Sequence, residues 1–343
     1  MKNEDLKSVA RKLVMPGKGI LAADESLPTI EKRLKSIDVD STEENRRGYR
    51  EILFTTAGAG EYISGVILFD ETIRQKTRDG RSFVEVLEQQ AIIPGIKVDK
   101  GTKRMANFPG EKITEGLDDL HERLAEYRQL GARFSKWRAV ISIGEKIPTR
   151  RCIETNAELL ARYAALSQEA DLVPIVEPEV LMDGAHTIER HFEVTEQTLR
   201  IVFHALAEHR VTLEAMLLKP NMVLSGKDCP QQAPNAFGVA EATLCCMKRV
   251  VPAAVPGLVF LSGGQSDLQA TEHLNAMNRL GRAPWELSFS FGRALQAPVL
   301  KTWKGDQANV AHAQRAFHHR ASCNSKARFG KYTAEMETAK AAA

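Results

Sequence analysis

The sequence predicts a single-domain α/β fold in which eight parallel strands, each followed by a helix, close into a (βα)8 barrel. Three observations carry this reading. Eight short apolar runs of strand length recur along the 343 residues, most of them bounded by Gly, Pro or polar residues. The segments between them place apolar residues at helical spacing. Strand then helix, repeated, implies parallel strands joined by right-handed crossovers. An open doubly wound sheet is the alternative for the same pattern.

The predicted strands cover residues 19–24, 63–69, 92–98, 134–142, 172–177, 215–219, 257–264 and 287–293. The predicted helices cover 41–53, 116–130, 156–167, 187–209, 236–250, 266–280 and 306–320. Ser41 and Glu44 stand at capping-box spacing ahead of the first of these. The reading divides the chain into a barrel domain, 1–321, and a helical or mobile tail, 322–343, that ends in Lys340 and three alanines. Trp137 alternates with Lys136 and Arg138 along its strand, so it faces the helices while they face the other way.

Composition narrows the function. Hydrophobic residues make up 43% and charged residues 27%, as in a globular protein large enough to need no disulfide or metal staple. The net charge of +3 comes without any basic run, which argues against a nucleic-acid partner. Five cysteines, none in C-x-x-C, fit free thiols of a reducing compartment. The N-terminus lacks a signal-peptide core and no apolar run approaches the roughly 20 residues of a membrane span. A cytoplasmic protein with no membrane partner is expected.

Charges gather where strands end. Asp24, Lys97, Lys136, Arg138, Glu177, Glu179, Lys219 and Arg293 all lie toward the C-terminal ends of the predicted strands. In a barrel these ends form the active-site mouth. Singly, such a charge is usually a solvated loop edge; six of eight runs ending in charge, with polar Ser262 toward the end of a seventh, is not explained that way. Five cations against three carboxylates leave the mouth about +2, suited to a phosphorylated substrate. Ser262-Gly263-Gly264 follows the seventh strand and precedes a helix, so its backbone N–H groups are free to approach an anion, with Arg293 in the next loop. A lysine ringed by cations and carboxylates is a candidate amine nucleophile, because burial and a cationic neighbour both favour free amine. Residue types alone leave Lys97, Lys136 and Lys219 as competitors. Metal chemistry has little support: His186 and His191 are not at ligand spacing, His318 and His319 are adjacent, and H-E-x-x-H is absent.

At these residues the sequence resembles class I fructose-bisphosphate aldolase. The matching segments are GILAADES at 19–26, ENRRGYR at 44–50, GVILFDET at 65–72, GIKVDKG at 95–101, KWR at 136–138, VPIVEPE at 173–179, LLKPNMV at 217–223, FLSGGQS at 260–266 and FGRALQA at 291–297. The resemblance spans about residues 17–332 and implies a TIM barrel, a homotetramer and Schiff-base cleavage of fructose 1,6-bisphosphate without cofactor or metal. It implies Lys219 as the Schiff-base lysine, Glu177 as acid/base, Glu179 as its neighbour, Asp24 as acceptor of the carbon-4 hydroxyl proton and Lys136 as charge stabiliser. Ser262, Gly263, Ser290, Gly292 and Arg293 match the carbon-1 phosphate site, and Gly264 of the same loop is expected among the phosphate-binding residues. Ser26, Arg33, Lys97 and Arg138 match contacts toward the carbon-6 phosphate or the hydroxyls. Three departures stand out. Leu27-Pro28-Thr29 follows Ser26 where animal members have Thr-Gly-Ser, and Pro28 is expected to stiffen that loop. Phe291 replaces a tyrosine. Animal members end in a tyrosine that assists proton exchange on the enamine, whereas the last tyrosine here is Tyr332 and the sequence runs on to Ala343.

Overall fold

Aromatic rings set against glycines determine how the strands of this chain close. The computed structural model describes residues 2–232, 235–281 and 283–338. Eight parallel strands form its centre: β1 (Gly19–Ala23), β2 (Ile63–Leu68), β3 (Ile93–Lys97), β4 (Phe134–Ile141), β5 (Val173–Val180), β6 (Leu217–Leu218), β7 (Gly257–Phe260) and β8 (Glu286–Phe291). Each pairs with its sequence neighbour and β8 pairs back to β1, giving a closed barrel. A Cβ at Gly95 would sit 2.3 Å from the Phe134 ring, and one at Gly19 would sit 2.5 Å from the Phe289 ring. The Phe134 ring thus fills the barrel interior beside Gly95, while the Phe289 ring fills the helix-facing side beside Gly19.

The interior layer of Ile20, Ile67, Phe134, Val173, Ile175, Leu217 and Val259 is sealed from below by Leu6, Ala10 and Leu13 of helix α1 (Lys2–Leu13). Arg328 reinforces that end by donating to the carbonyls of Met15 and Val14 and to Glu286. The outer shell consists of α2 (Leu27–Lys35), α3 (Glu43–Phe54), α4 (Asp70–Arg74), α5 (Phe83–Gln89), α6 (Leu120–Gln129), α7 (Arg150–Glu169), α8 (Ile188–Glu208), α9 (Ala236–Val250), α10 (Asp267–Leu280), α11 (Arg293–Trp303) and α12 (Val310–Arg328), followed by the short α13 (Glu335–Thr338). Trp137 is fully buried and stacks on Tyr163 of α7 at 5.6 Å, facing the helices as its alternation demands. Among the described residues, no helix is long and apolar enough to cross a membrane.

Several expectations are corrected. The cap of α3 is Thr42, which accepts from the N–H of Asn45; Ser41 lies one residue too early. β5 runs unbroken through Pro178 to Val180, beyond the expected end at Glu177. α7 opens at Arg150 behind its Thr149 cap, six residues before the apolar periodicity is visible. Leu27 and Pro28 do not stiffen a loop: they form the first turn of α2 behind Ser26, where Pro is pre-set for helix and loses no hydrogen bond. α1, α2, α4, α5 and α11 were not anticipated, nor was the hairpin Thr102–Arg104 with Lys112–Thr114. The last long helix does not stop at Arg320 but continues across the 321/322 division to Arg328, with Cys323 and Ala327 buried. Lys340 and the terminal alanines lie outside the described residues.

Gly95→Ala is expected to lower unfolding stability by about 1–3 kcal/mol, because the added methyl meets the Phe134 ring in a filled interior. Chemical denaturation followed by tryptophan fluorescence checks this; an unchanged midpoint contradicts the packing described.

Candidate active site

Strand register brings the charged residues together. In the β3–β4 pair Lys97 lies opposite Lys136, and in the β4–β5 pair Arg138 lies opposite Glu177. Lys136 and Arg138 are two apart on β4, and Glu177 and Glu179 two apart on β5, so all four face the barrel mouth. Lys219 follows the two residues of β6 and keeps the ladder by donating its N–H to the Val176 carbonyl at 2.8 Å. Asp24 follows β1. These side chains line a cavity of about 1140 Å³ at the C-terminal ends of the strands.

At its floor Glu177 lies between two lysines. Its Oε2 is 3.0 Å from Lys136 Nζ and its Oε1 is 3.1 Å from Lys219 Nζ. Lys136 Nζ also contacts Asp24 Oδ2 at 2.6 Å. Lys136, Glu177 and Lys219 are almost completely buried, at 3%, 3% and 4% exposure, so these contacts are poorly screened. Burial opposes each charge, at several kcal/mol per ion. A contact near 3 Å returns on the order of 5 kcal/mol at an effective dielectric of 20. The charges win here. Burial alone would raise the Asp24 and Glu177 carboxyls, but Lys136 and Lys219 hold both below the usual carboxylate range. Burial alone would lower the Lys136 ammonium, but Asp24 and Glu177 hold it well above the usual lysine range. Of the three candidate lysines, Lys136 is bound by two carboxylates, Lys97 by Asp99 at 2.7 Å and the Asp99 carbonyl at 2.8 Å, and Lys219 by Glu177.

Around this floor sit the groups expected to take phosphate. Ser262, Gly263, Ser290, Gly292 and Arg293 line one side of the cavity; Ser26, Arg33, Lys97 and Arg138 also line it. A Cβ at Gly263 would lie 2.6 Å from the Leu261 side chain and 2.9 Å from the Glu179 carboxylate, so a larger residue there would have to displace them. Gly264 does not line the cavity; it adopts a left-handed φ of +78° and packs on Met182 and Lys227. The Ser290 hydroxyl is buried and finds no hydrogen-bond partner among the described residues. The helix N-terminus open to this side is that of α11, whose N-cap Gly292 supplies no side-chain cap. The N-terminus of α10, singled out from the sequence, is closed by its own Ser266–Gln269 capping box. Arg33 lies on the Gly292 side, with Nη2 3.8 Å from the position of a Gly292 Cβ. Arg138 is tied to Glu179.

Four supporting residues escaped the sequence reading. Glu25 is buried beside Asp24 and ion-pairs with both Arg33 and Arg50. Gln296 donates to Glu25 Oε1 at 2.8 Å and to the Ala22 carbonyl at 2.7 Å, so it clamps the end of β1 to α11. Asp99 orients Lys97 and accepts from the Arg138 N–H at 3.2 Å. The strand-end signal could have found Asp99, two residues beyond Lys97. Arg50 lies mid-helix, where nothing local marks it. Tyr332 is not at the mouth: it is buried against α10 and α12, with its hydroxyl 2.8 Å from Glu337 Oε1.

The family model for class I fructose-bisphosphate aldolase, described as glycolytic, matches residues 5–343. The chain belongs to the class I fructose-bisphosphate aldolase family. It is 57% identical over 333 residues to a probable class 1 fructose-bisphosphate aldolase of Xanthomonas campestris, covering 97% of this chain and 99% of that one. It is 53% identical to a fructose-bisphosphate aldolase of Dictyostelium discoideum, covering 98% and 95% of the two chains. Among solved structures, fructose-bisphosphate aldolase from Plasmodium falciparum, in complex with TRAP and a small-molecule inhibitor, superposes with a TM-score of 0.96 at 50% identity, covering 97% of this chain and 96% of that one. The aldolase family works through a lysine Schiff base, so the buried lysines of the mouth are where its chemistry is to be sought.

Two predictions follow from the electrostatics. Arg50→Ala leaves the buried Glu25 carboxylate one partner short and is expected to cost about 3–5 kcal/mol of stability by denaturant titration; a cost under about 1 kcal/mol contradicts the network. Asp24, Glu25 and Glu177 titrate below their unperturbed values of 3.8, 4.5 and 4.5. Below about those values the unfolded chain binds protons that the folded chain refuses, so stability is full above them and falls as pH drops further. Melting temperature measured from pH 6 down to pH 3 should decline steeply below about pH 4.5; a flat profile there contradicts the assigned shifts.

Proposed function

We propose that this chain catalyses the reversible cleavage of fructose 1,6-bisphosphate into dihydroxyacetone phosphate and glyceraldehyde 3-phosphate, with Lys219 as the Schiff-base nucleophile. The observation that carries the choice of lysine is the unequal sharing of carboxylates. Lys136 is bound by Asp24 and Glu177 together and is kept charged, which suits an electrostatic role and not a nucleophilic one. Lys219 has the Glu177 contact to receive its proton.

The steps follow from these positions. The Lys219 amine adds to the carbon-2 ketone, and Glu177 donates the proton that lets the carbinolamine oxygen leave as water. The resulting iminium draws the electrons of the carbon-3–carbon-4 bond as the carbon-4 hydroxyl gives its proton to Asp24. Glyceraldehyde 3-phosphate leaves and an enamine remains on Lys219. Protonation at carbon 3 regenerates the iminium, and water releases dihydroxyacetone phosphate. Lys136 stays cationic throughout and offsets negative charge building on the oxygens it faces. Glu179 holds Arg138 at the rim.

The carbon-1 phosphate is assigned to the backbone of Gly263 and Gly292, the Ser262 and Ser290 hydroxyls, the α11 N-terminus and Arg293. Arg33 is reassigned to this side on its approach to Gly292. Ser26, Lys97 and Arg138 are assigned to the carbon-6 phosphate or the hydroxyls; Ser26 Oγ, 3.1 Å from Thr29 Oγ1, starts α2 at that edge. A homotetramer is proposed from the family resemblance. A cytosolic site of action is supported by a 54%-identical relative from Arabidopsis thaliana named as cytosolic.

Borohydride reduction with dihydroxyacetone phosphate is expected to leave one covalent adduct, mapped by peptide mass spectrometry to Lys219. An adduct on Lys136 or Lys97, or none, contradicts the assignment. Lys219→Ala should lose cleavage while keeping its circular dichroism spectrum, whereas Lys136→Ala should slow turnover by about 10²-fold or more.

A further inference from the structure

Away from the barrel mouth, the C-terminal segment folds back on α12 and brings three side chains of metal-binding type together. His319 and Cys323 are four residues apart on α12, so they stand on one face of that helix. Glu337 of α13 covers that face. His319 Nε2 lies 3.5 Å from Cys323 Sγ and 3.5 Å from Glu337 Oε2, and the three donor atoms all lie within 4.8 Å of one another. Tetrahedral zinc, with Zn–S of about 2.3 Å and Zn–N or Zn–O of about 2.0–2.2 Å, sets its ligand atoms roughly 3.4–3.6 Å apart. A direct histidine–carboxylate hydrogen bond would close to about 2.7–2.9 Å. The His319–Glu337 separation is longer than such a bond, and with the Cys323 sulfur in hydrogen-bond reach of the same ring nitrogen the three donors converge at distances a tetrahedral metal would impose.

We propose that His319, Cys323 and Glu337 form a zinc site that fastens the C-terminal segment to α12. The second layer fits. Glu337 uses Oε1 to accept from Tyr332 Oη at 2.8 Å and from Arg320, which orients the carboxylate and turns Oε2 toward the metal. A thiolate and a carboxylate offset the charge of a divalent cation, and histidine completes a borderline-soft donor set suited to zinc. Cys323 is fully buried, while the His319 and Glu337 side chains are 20% and 22% exposed, so the metal enters from their side and takes its fourth ligand there from solvent. None of the three lines the catalytic cavity. The site is therefore a clip on the tail and separate from the Schiff-base chemistry. It escapes motif searches because its third ligand comes from beyond the turn at Gly330.

Metal-free full-length protein titrated with cobalt(II) tests the proposal. One equivalent should bind and give the near-ultraviolet thiolate-to-cobalt band, and zinc should displace it. Cys323→Ser should lose the band, Glu337→Gln and His319→Ala should weaken cobalt binding by about tenfold or more, and Cys245→Ser, at an exposed thiol, should change nothing. Wild-type protein gives a parallel readout without substitution: zinc should slow alkylation of Cys323 and leave Cys245 unaffected. No band in the wild type, a band that survives Cys323→Ser, undiminished affinity in Glu337→Gln, or zinc-independent alkylation of Cys323 would overturn the site.

Discussion

The chemistry of this chain depends on one carboxylate shared by two lysines in a place where water cannot screen them. Glu177 keeps an oxygen for each of Lys136 and Lys219, and Asp24 adds a second contact to Lys136 alone. That asymmetry distinguishes two otherwise similar side chains, and it is the basis on which Lys136 is proposed as the fixed cation and Lys219 as the nucleophile. Everything nearby preserves it. β4 and β5 are in register so that Arg138 stands beside Glu177, Asp99 draws Lys97 away from the floor, and Arg138 engages Glu179, leaving Glu177 to the lysines.

The barrel supplies the rigidity this arrangement needs. A carboxylate placed 3 Å from two lysines is useful only if the backbone cannot drift, and these residues end strands packed on both faces, with the Phe134 ring against Gly95 inside the barrel and the Phe289 ring against Gly19 outside it. α1 and Arg328 close the opposite end of the barrel, while Glu25, Arg50, Arg33 and Gln296 tie the end of β1 to α11. Under the proposed assignment the phosphates would be held by the same loops that carry Asp24 and Arg293, so that binding the substrate's ends would position its centre over Lys219.

Strands were legible because parallel barrel strands are buried on both faces and read as apolar runs, and the mouth was legible because charge at the end of such a run is costly unless it pairs. What escaped lacked either signal. α1 buries an apolar stripe in an otherwise polar N-terminal segment, and α11 begins directly at the last residue of the final apolar run, so its helical period merges with the strand. Arg50 and Gln296 reach the site from helices, where position in the sequence does not reveal which charged residue turns inward. Among the three mouth lysines, residue type could not choose, and family resemblance did; the structure adds that each lysine has a different set of carboxylate partners. Tyr332 illustrates the opposite case, a residue whose likeness to a catalytic tail tyrosine ends at its identity, since its hydroxyl is engaged with Glu337.

The most direct test of the account is a crystal structure of the protein soaked with fructose 1,6-bisphosphate and trapped at the iminium stage. The account predicts continuous density from Lys219 Nζ to carbon 2, Lys136 unmodified between Asp24 and Glu177, and the carbon-1 phosphate against Gly263, Ser290, Gly292 and Arg293. A covalent link at Lys136, or a carbon-1 phosphate seated at Ser26, would contradict it.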